Sequence, residues 1–304
     1  MAEPVISVGG LRKSYGELEA VRGIDLEVAT GEIFAFLGPN GAGKTTTVEI
    51  LEGYRQPSAG KVSVLDSDPA DAGRAWRQRI GVVLQDCNLQ PELTVRESLE
   101  LYAGYYETPR SVDETIELVG LQDQADQRAR RLSGGQQRRL DVGLALVGNP
   151  ELLFLDEPTT GFDPSARRQA WEVIANLREL GKTVFLTTHY MDEAHALADR
   201  VAIIAGGEIV AEGAPGELGG RDAAALISFR LPTGVDAGDL PREVAAALGG
   251  AGTPHPNGQV QLRTDDPVAI LNALTSWALA RNLDLAGLEV RRPSLEDVYL
   301  ELTE

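Results

Sequence analysis

"FAFLGPNGAGKTTTVEILEG", residues 34–53, is the stretch on which the fold turns. An apolar run stops at a glycine-rich bend, and a lysine and three threonines then open a helical pattern. Glycines at 38, 41 and 43 let backbone N–H groups converge on one point, and the following helix directs its positive N-terminal end at the same place. That is the shape of a phosphate cradle, in which a side chain at Gly43 is expected to collide with the phosphates.

Residues 38–45, "GPNGAGKT", meet the pattern G-x-x-x-x-G-K-[ST] completely, with a strand expected before it and a helix after it. Gly38, Pro39, Asn40, Gly41, Ala42, Gly43, Lys44, Thr45 and Thr46 are therefore the expected nucleotide contacts. Lys44 reaches for the β and γ phosphates, and Thr45 offers its hydroxyl to Mg²⁺. The matching carboxylate is expected at the end of another apolar strand, and "ELLFLDEP" (151–158) supplies two. Consecutive side chains at a strand end point in different directions. Asp156 then faces the metal, and Glu157 faces the γ-phosphate and its attacking water as general base.

Working outward, "IDLEV" (24–28) alternates as a half-exposed strand does. The runs 33–37, 80–84, 152–155, 183–188 and 201–204 are continuously apolar, which suits strands buried on both faces of a mostly parallel sheet. Helical patterns at 43–54, 164–179 and 191–198 separate several of them. The fold class is α/β, a P-loop NTPase core with antiparallel N-terminal strands. Between about 86 and 150 helical patterns dominate, as an inserted helical subdomain. The domain expected over 1–219 ends at a Gly-rich hinge. Residues 220–304 form a small second α/β unit, with strands at 225–231, 258–263 and 284–290 and helices near 240–248, 267–281 and 293–303.

The chain of 304 residues has one cysteine, Cys87, and histidines only at 189, 195 and 255, which leaves no disulfide framework and makes a zinc enzyme a poor reading. With 46 acidic against 28 basic residues the net charge is −18, which argues against nucleic acid as the main partner. Lysine occurs only at 13, 44, 61 and 182. The acidic, lysine-poor composition fits adaptation to high salt or a GC-rich codon bias, and a salt series of unfolding curves separates them. No run approaches the ~20 apolar residues of a membrane span, and the N-terminus lacks a signal pattern, so a cytosolic chain is expected.

Leu132-Ser133-Gly134-Gly135-Gln136 narrows the reading. A serine at a helix start beside bare glycine N–H groups makes a second anion site. Here the chain resembles the ATP-binding cassette (ABC) family, whose signature is that pentapeptide, and the other family elements follow in order over residues 4–218. Gln85 is similar to the Q-loop glutamine, which contacts Mg²⁺ and water and relays into the helical insertion. Asp163 in "GFDP" matches the D-loop aspartate, although Phe162 stands where the family more often has leucine. His189 in "LTTHY" matches the switch histidine at the γ-phosphate, and Tyr15 is similar to the aromatic that stacks on adenine.

The resemblance implies ATP and Mg²⁺ as cofactors and ATP hydrolysis as the activity. It also implies a partnership with a second copy of the chain, the signature of each closing over the P-loop of the other. A single cassette without a coiled-coil insertion is similar to transporter subunits rather than to translation factors or chromosome ATPases. The run 189–218 and the tail ending "RRPSLEDVYLELTE" look like ABC-2-type exporter subunits, which act on a separate membrane permease at the cytoplasmic face of the membrane. A cytosolic, non-transport ABC ATPase acting on a protein partner is the alternative. Leu295, Val298 and Tyr299 fall at helical spacing, as a packing face in the tail.

Overall fold

The computed structural model describes residues 4–84, 89–218, 224–231, 234–248, 259–291 and 295–303. The chain divides into two compact units, Met1–Pro215 with Leu302–Glu304, and Gly216–Glu301.

The first unit begins with β1 (Pro4–Tyr15), β2 (Leu18–Ala29) and β3 (Ile33–Leu37), then α1 (Lys44–Leu51), β4 (Ala59–Val64), α2 (Arg74–Arg77) and β5 (Ile80–Val83). Helices α3 (Val95–Ala103), α4 (Val112–Leu118) and α5 (Gly134–Leu146) make up the helical insertion. The core resumes with β6 (Leu152–Asp156), α6 (Pro164–Glu179), β7 (Thr183–Thr188), α7 (Met191–Leu197), β8 (Arg200–Ala205) and β9 (Glu208–Gly213). The main sheet has the order β5-β6-β7-β3-β8-β9 and is parallel except for the final hairpin. That hairpin turns at Gly206 (φ 56°) and Gly207 (φ 87°), the two left-handed positions that a tight two-residue turn requires. A smaller antiparallel sheet, β2-β1-β4, completes the unit.

Register in the parallel sheet is set by aromatic side chains on one face. Phe154, Phe185 and Phe34 sit at paired positions on β6, β7 and β3. Their ring centroids are 5.8 and 5.7 Å apart, and Phe36 lies 5.7 Å from Phe185 on the same face. A one-residue slip of any of these strands would turn its rings to the other face. The same register brings the carboxyl ends of three neighbouring strands level: Leu37 pairs with Thr188, and Asp156 with Thr187. Loops leaving that edge meet, as they do at ligand sites of open parallel sheets.

The second unit holds α8 (Pro215–Leu218, whose first residue belongs to the first unit), β10 (Ala225–Arg230), α9 (Arg242–Leu248), β11 (Gln259–Thr264), α10 (Pro267–Ala280), β12 (Glu289–Arg291) and α11 (Leu295–Thr303, whose last two residues belong to the first unit). Its antiparallel sheet runs β11-β10-β12 around its own core, which includes Ile227, Phe229, Val244 and Leu274. The strand expected at 284–290 is shorter and later, because Gly287 turns the chain at φ 68°. Of the expected face on α11, Leu295 is buried, and Val298 and Tyr299 are half-buried. Among the described residues no helix is long and apolar enough to cross a membrane.

Candidate functional site

The loop after β3 is shaped by the walls behind it. Gly43 stands at φ 109° as the N-cap of α1, and a Cβ there would lie 2.6 Å from the Ala20 carbonyl oxygen. A Cβ on Gly38 would lie 2.4 Å from the Ile204 carbonyl oxygen. The collision expected between a Gly43 side chain and phosphate is thus, in the first place, a collision with β2. Gly41, at φ 81°, has open space around it, and there only the backbone turn requires glycine. Gly207 N–H donates to the Ala42 carbonyl at 3.1 Å, which ties the β8–β9 turn to the loop.

Lys44 opens α1 with 8% of its surface exposed, and its ammonium donates to the carbonyls of Gly38 at 2.6 Å and Pro39 at 3.2 Å. Burial lowers its pKa, and the carboxylates of Glu157 and Asp156 oppose that shift. Thr45 is exposed, Thr46 half-buried, and Asn40 and Gly41 lie on the surface. Lys44 and both acids therefore belong to one electrostatic neighbourhood.

Asp156 ends β6 and accepts a hydrogen bond from the Thr187 hydroxyl. The same hydroxyl accepts from Glu157 N–H at 3.2 Å, and the Thr187 carbonyl accepts from it at 3.0 Å. Glu157 has φ 45°, a left-handed conformation uncommon for a non-glycine residue. Its side chain is 14% exposed, with Oε1 3.2 Å from His189 Nδ1 and Oε2 accepting from the Thr160 hydroxyl at 3.0 Å. The P-loop, the acid pair and His189 leave the adjacent strands β3, β6 and β7, which accounts for their meeting. Thr187 and Thr160 were missed as site residues; the only signal was a hydroxyl pair, Thr187-Thr188, ending an apolar strand.

At the start of α5, Ser133 and Gln136 form a capping box. Ser133 Oγ accepts from Gln136 N–H at 3.3 Å, and Gln136 Oε1 accepts from Ser133 N–H at 2.8 Å. The cap uses the serine as an acceptor and leaves its O–H to donate. Ser133 and Gly134 are exposed, and Gly135 packs near Ala166, where a Cβ would come within 3.3 Å. Asp163, also exposed, caps α6 by accepting from Ser165 N–H at 2.8 Å and Ala166 N–H at 3.0 Å. Tyr15 is 39% exposed at the end of β1, its ring 5.3 Å from both Lys13 Nζ and Arg55 Cζ. Gln85 lies outside the described residues.

The arrangement suits a phosphate ester with a hard divalent cation. Thr45 and Asp156 offer oxygen donors, and among the described residues no cluster of three or more His, Cys, Asp or Glu forms a metal cage. Mg²⁺ shared with phosphates and water needs no such cage. A groove of about 400 Å³ opens elsewhere on this unit, lined by Glu52, Tyr54, Leu84, Tyr102, Tyr106 and Asp141 among others.

Residues 21–160 match the family described as ABC transporter, and residues 225–294 match an ABC transporter domain-containing protein-like C-terminal domain. The daunorubicin resistance ATP-binding protein DrrA3 of Streptomyces coeruleorubidus is 39% identical over 319 residues, covering 100% of this chain and 97% of the relative. The Nod factor export ATP-binding protein I of Rhizobium sp. (strain N33) is 39% identical over 317 residues, covering 100% and 98%. Among solved structures, a dimeric post-hydrolysis state of the ATP-binding cassette MJ0796 bound to ADP and Pi aligns with TM-score 0.61 at 28% identity, covering 69% of this chain and 98% of that one.

Proposed function

The chain belongs to the ABC transporter family as an ATP-binding, ATP-hydrolysing subunit of the exporter type, and from that premise we propose how its residues divide the work. The P-loop N–H groups after Pro39, through Thr46, and the Lys44 ammonium hold the β and γ phosphates of ATP. Thr45 and Asp156, with Gln85, hold Mg²⁺, which when bound neutralises charge on the phosphate oxygens. Glu157 takes a proton from the attacking water, and His189 orients that carboxylate and donates to the γ-phosphate. Tyr15 stacks on adenine, its face flanked by two cations. The observation that carries this reading is the 3.2 Å pairing of Glu157 with His189 beside the glycine-lined loop.

Ser133, Gly134, Gly135, Gln136 and Asp163 act on the nucleotide of a second copy, so that two chains enclose two ATP molecules. The exposed serine and glycine at the tip of α5 support this, as does the dimeric state of a related cassette. A separate permease docks in the groove beside Tyr102 and Tyr106, and the chain is held at the cytoplasmic face of the membrane through it. The relatives' names, daunorubicin resistance and Nod factor export, make daunorubicin and Nod factors the cargoes to try first.

The test is Glu157→Gln with MgATP, followed by size exclusion and phosphate release. Slow hydrolysis together with an ATP-dependent dimer is the expected result. A chain that stays monomeric with ATP bound would remove the two-copy arrangement, and hydrolysis at the parent rate would remove Glu157 as the base.

A further inference from the structure

Arg138 lies one turn into α5 with 4% of its surface exposed, and its guanidinium reaches beyond its own helix. Nε donates to the Pro158 carbonyl at 3.0 Å, and Nη2 donates to the carbonyls of Asp156 at 2.8 Å and Glu157 at 3.4 Å. Nη1 donates to the Leu84 carbonyl and, at 3.1 Å, to Asp141 Oδ2. A buried guanidinium is tolerated when its donors are satisfied, and its rigid planar fork sets where the acceptors must stand. Here the fork spans three consecutive carbonyls, 156 to 158, which bracket the left-handed residue Glu157. Such a backbone persists only where its surroundings over-determine it. Asp141, one turn farther along α5 with its side chain 17% exposed, pairs with the guanidinium and also lines the groove beside Leu84.

We propose that Arg138 is a positioning residue for hydrolysis. Its guanidinium, oriented by Asp141, holds the 156–158 turn so that the Glu157 carboxylate aims at the attacking water. It works through the backbone of Glu157 and touches no nucleotide, so it leaves binding to the P-loop. The proposal rests on the assignment of Glu157 as the base. A lysine at 138 brings a point charge that cannot span three carbonyls, and an asparagine at 141 keeps the shape of the orienting group without its charge.

The experiment compares Arg138→Lys and Asp141→Asn with the parent full-length chain. It measures the thermal midpoint, MgATP affinity and the single-turnover rate per bound ATP. Affinity within about twofold, with the rate lowered at least tenfold in Arg138→Lys and several-fold in Asp141→Asn, is the expected pattern. A merely structural role would lower the midpoint and the fraction of chain that binds, yet leave the rate per bound ATP unchanged, and that result overturns the proposal. Should Arg138→Lys fail to fold, Asp141→Asn decides alone by the same rate. Glu157→Gln run in parallel keeps the two ideas apart. If it turns over like the parent, the base assignment falls and takes the proposal with it. If it is slow while both other variants hydrolyse normally, only the proposal falls.

Discussion

Glu157 Oε2 accepts from the Thr160 hydroxyl, and Oε1 lies 3.2 Å from His189 Nδ1. Replacing His189 with alanine removes one preorganised contact, and nucleotide affinity should persist while the hydrolysis rate falls about 10²-fold; parallel binding and phosphate-release assays check both halves. Gly43→Ala should fail earlier, at folding, because a Cβ meets the Ala20 carbonyl at 2.6 Å and φ is 109°. A loss of about 2–4 kcal/mol is expected in denaturant unfolding. Glu52 supplies the pH test. Burial, then the charges of Asp156 and Glu49, push its carboxyl up to about 8. A folded-state pKa raised above the unfolded value contributes stability that is full below the unfolded pKa and is lost as pH rises through the folded one. Wild-type stability should therefore fall between about pH 4.5 and pH 8 from this group, and Glu52→Gln should flatten that slope in unfolding curves taken across the window. The P-loop, the acid pair and His189, which the structure brings together, could be picked from the sequence because each sits inside a contiguous motif. Thr187, Thr160 and Arg138 could not. Arg138 and Thr187 act on residues 18 and 31 positions away in the chain, and Thr160, three positions from Glu157, carries no motif of its own.

Among the elements, β3 and β7, with unbroken apolar runs, and α6, with a helical pattern, coincide with the expected spans. Strand β1 lacks such a pattern. Gly9 and Gly10 interrupt it, and its pairing with β2 shifts register between Val8 and Leu11. Neither β4 nor the exposed, alternating β9 has a run of its own, and the strand order of the main sheet is a tertiary fact that no local pattern carries. Helix α6 shows how a functional motif doubles as structure. Asp163 caps it and Pro164 occupies its first turn, so Asp163→Ala should cost about 1 kcal/mol, read as a shifted denaturation midpoint. Loss of ATP-dependent dimerisation beyond that shift would mark the second role proposed for the aspartate.

At the scale of the whole molecule, the two units have separate cores, so the first should fold without the second. A chain ending at residue 219 should unfold cooperatively and bind MgATP as the parent does. If residues 220–304 stabilise the dimer, the truncated chain will dimerise several-fold more weakly with ATP in size exclusion; unchanged dimerisation and transport would dispose of that role. The change of texture after the Gly-rich hinge raised the expectation of a second unit from residue 220, while the structure divides between Pro215 and Gly216; the sheet order inside each unit was not legible.

Gly38 and Gly43 abut main-chain carbonyls of β8 and β2, and Gly207 N–H grips Ala42 from behind. The wall behind the loop is thus cast when the polypeptide folds, and a bound phosphate would instead redirect the Lys44 ammonium away from the Gly38 and Pro39 carbonyls.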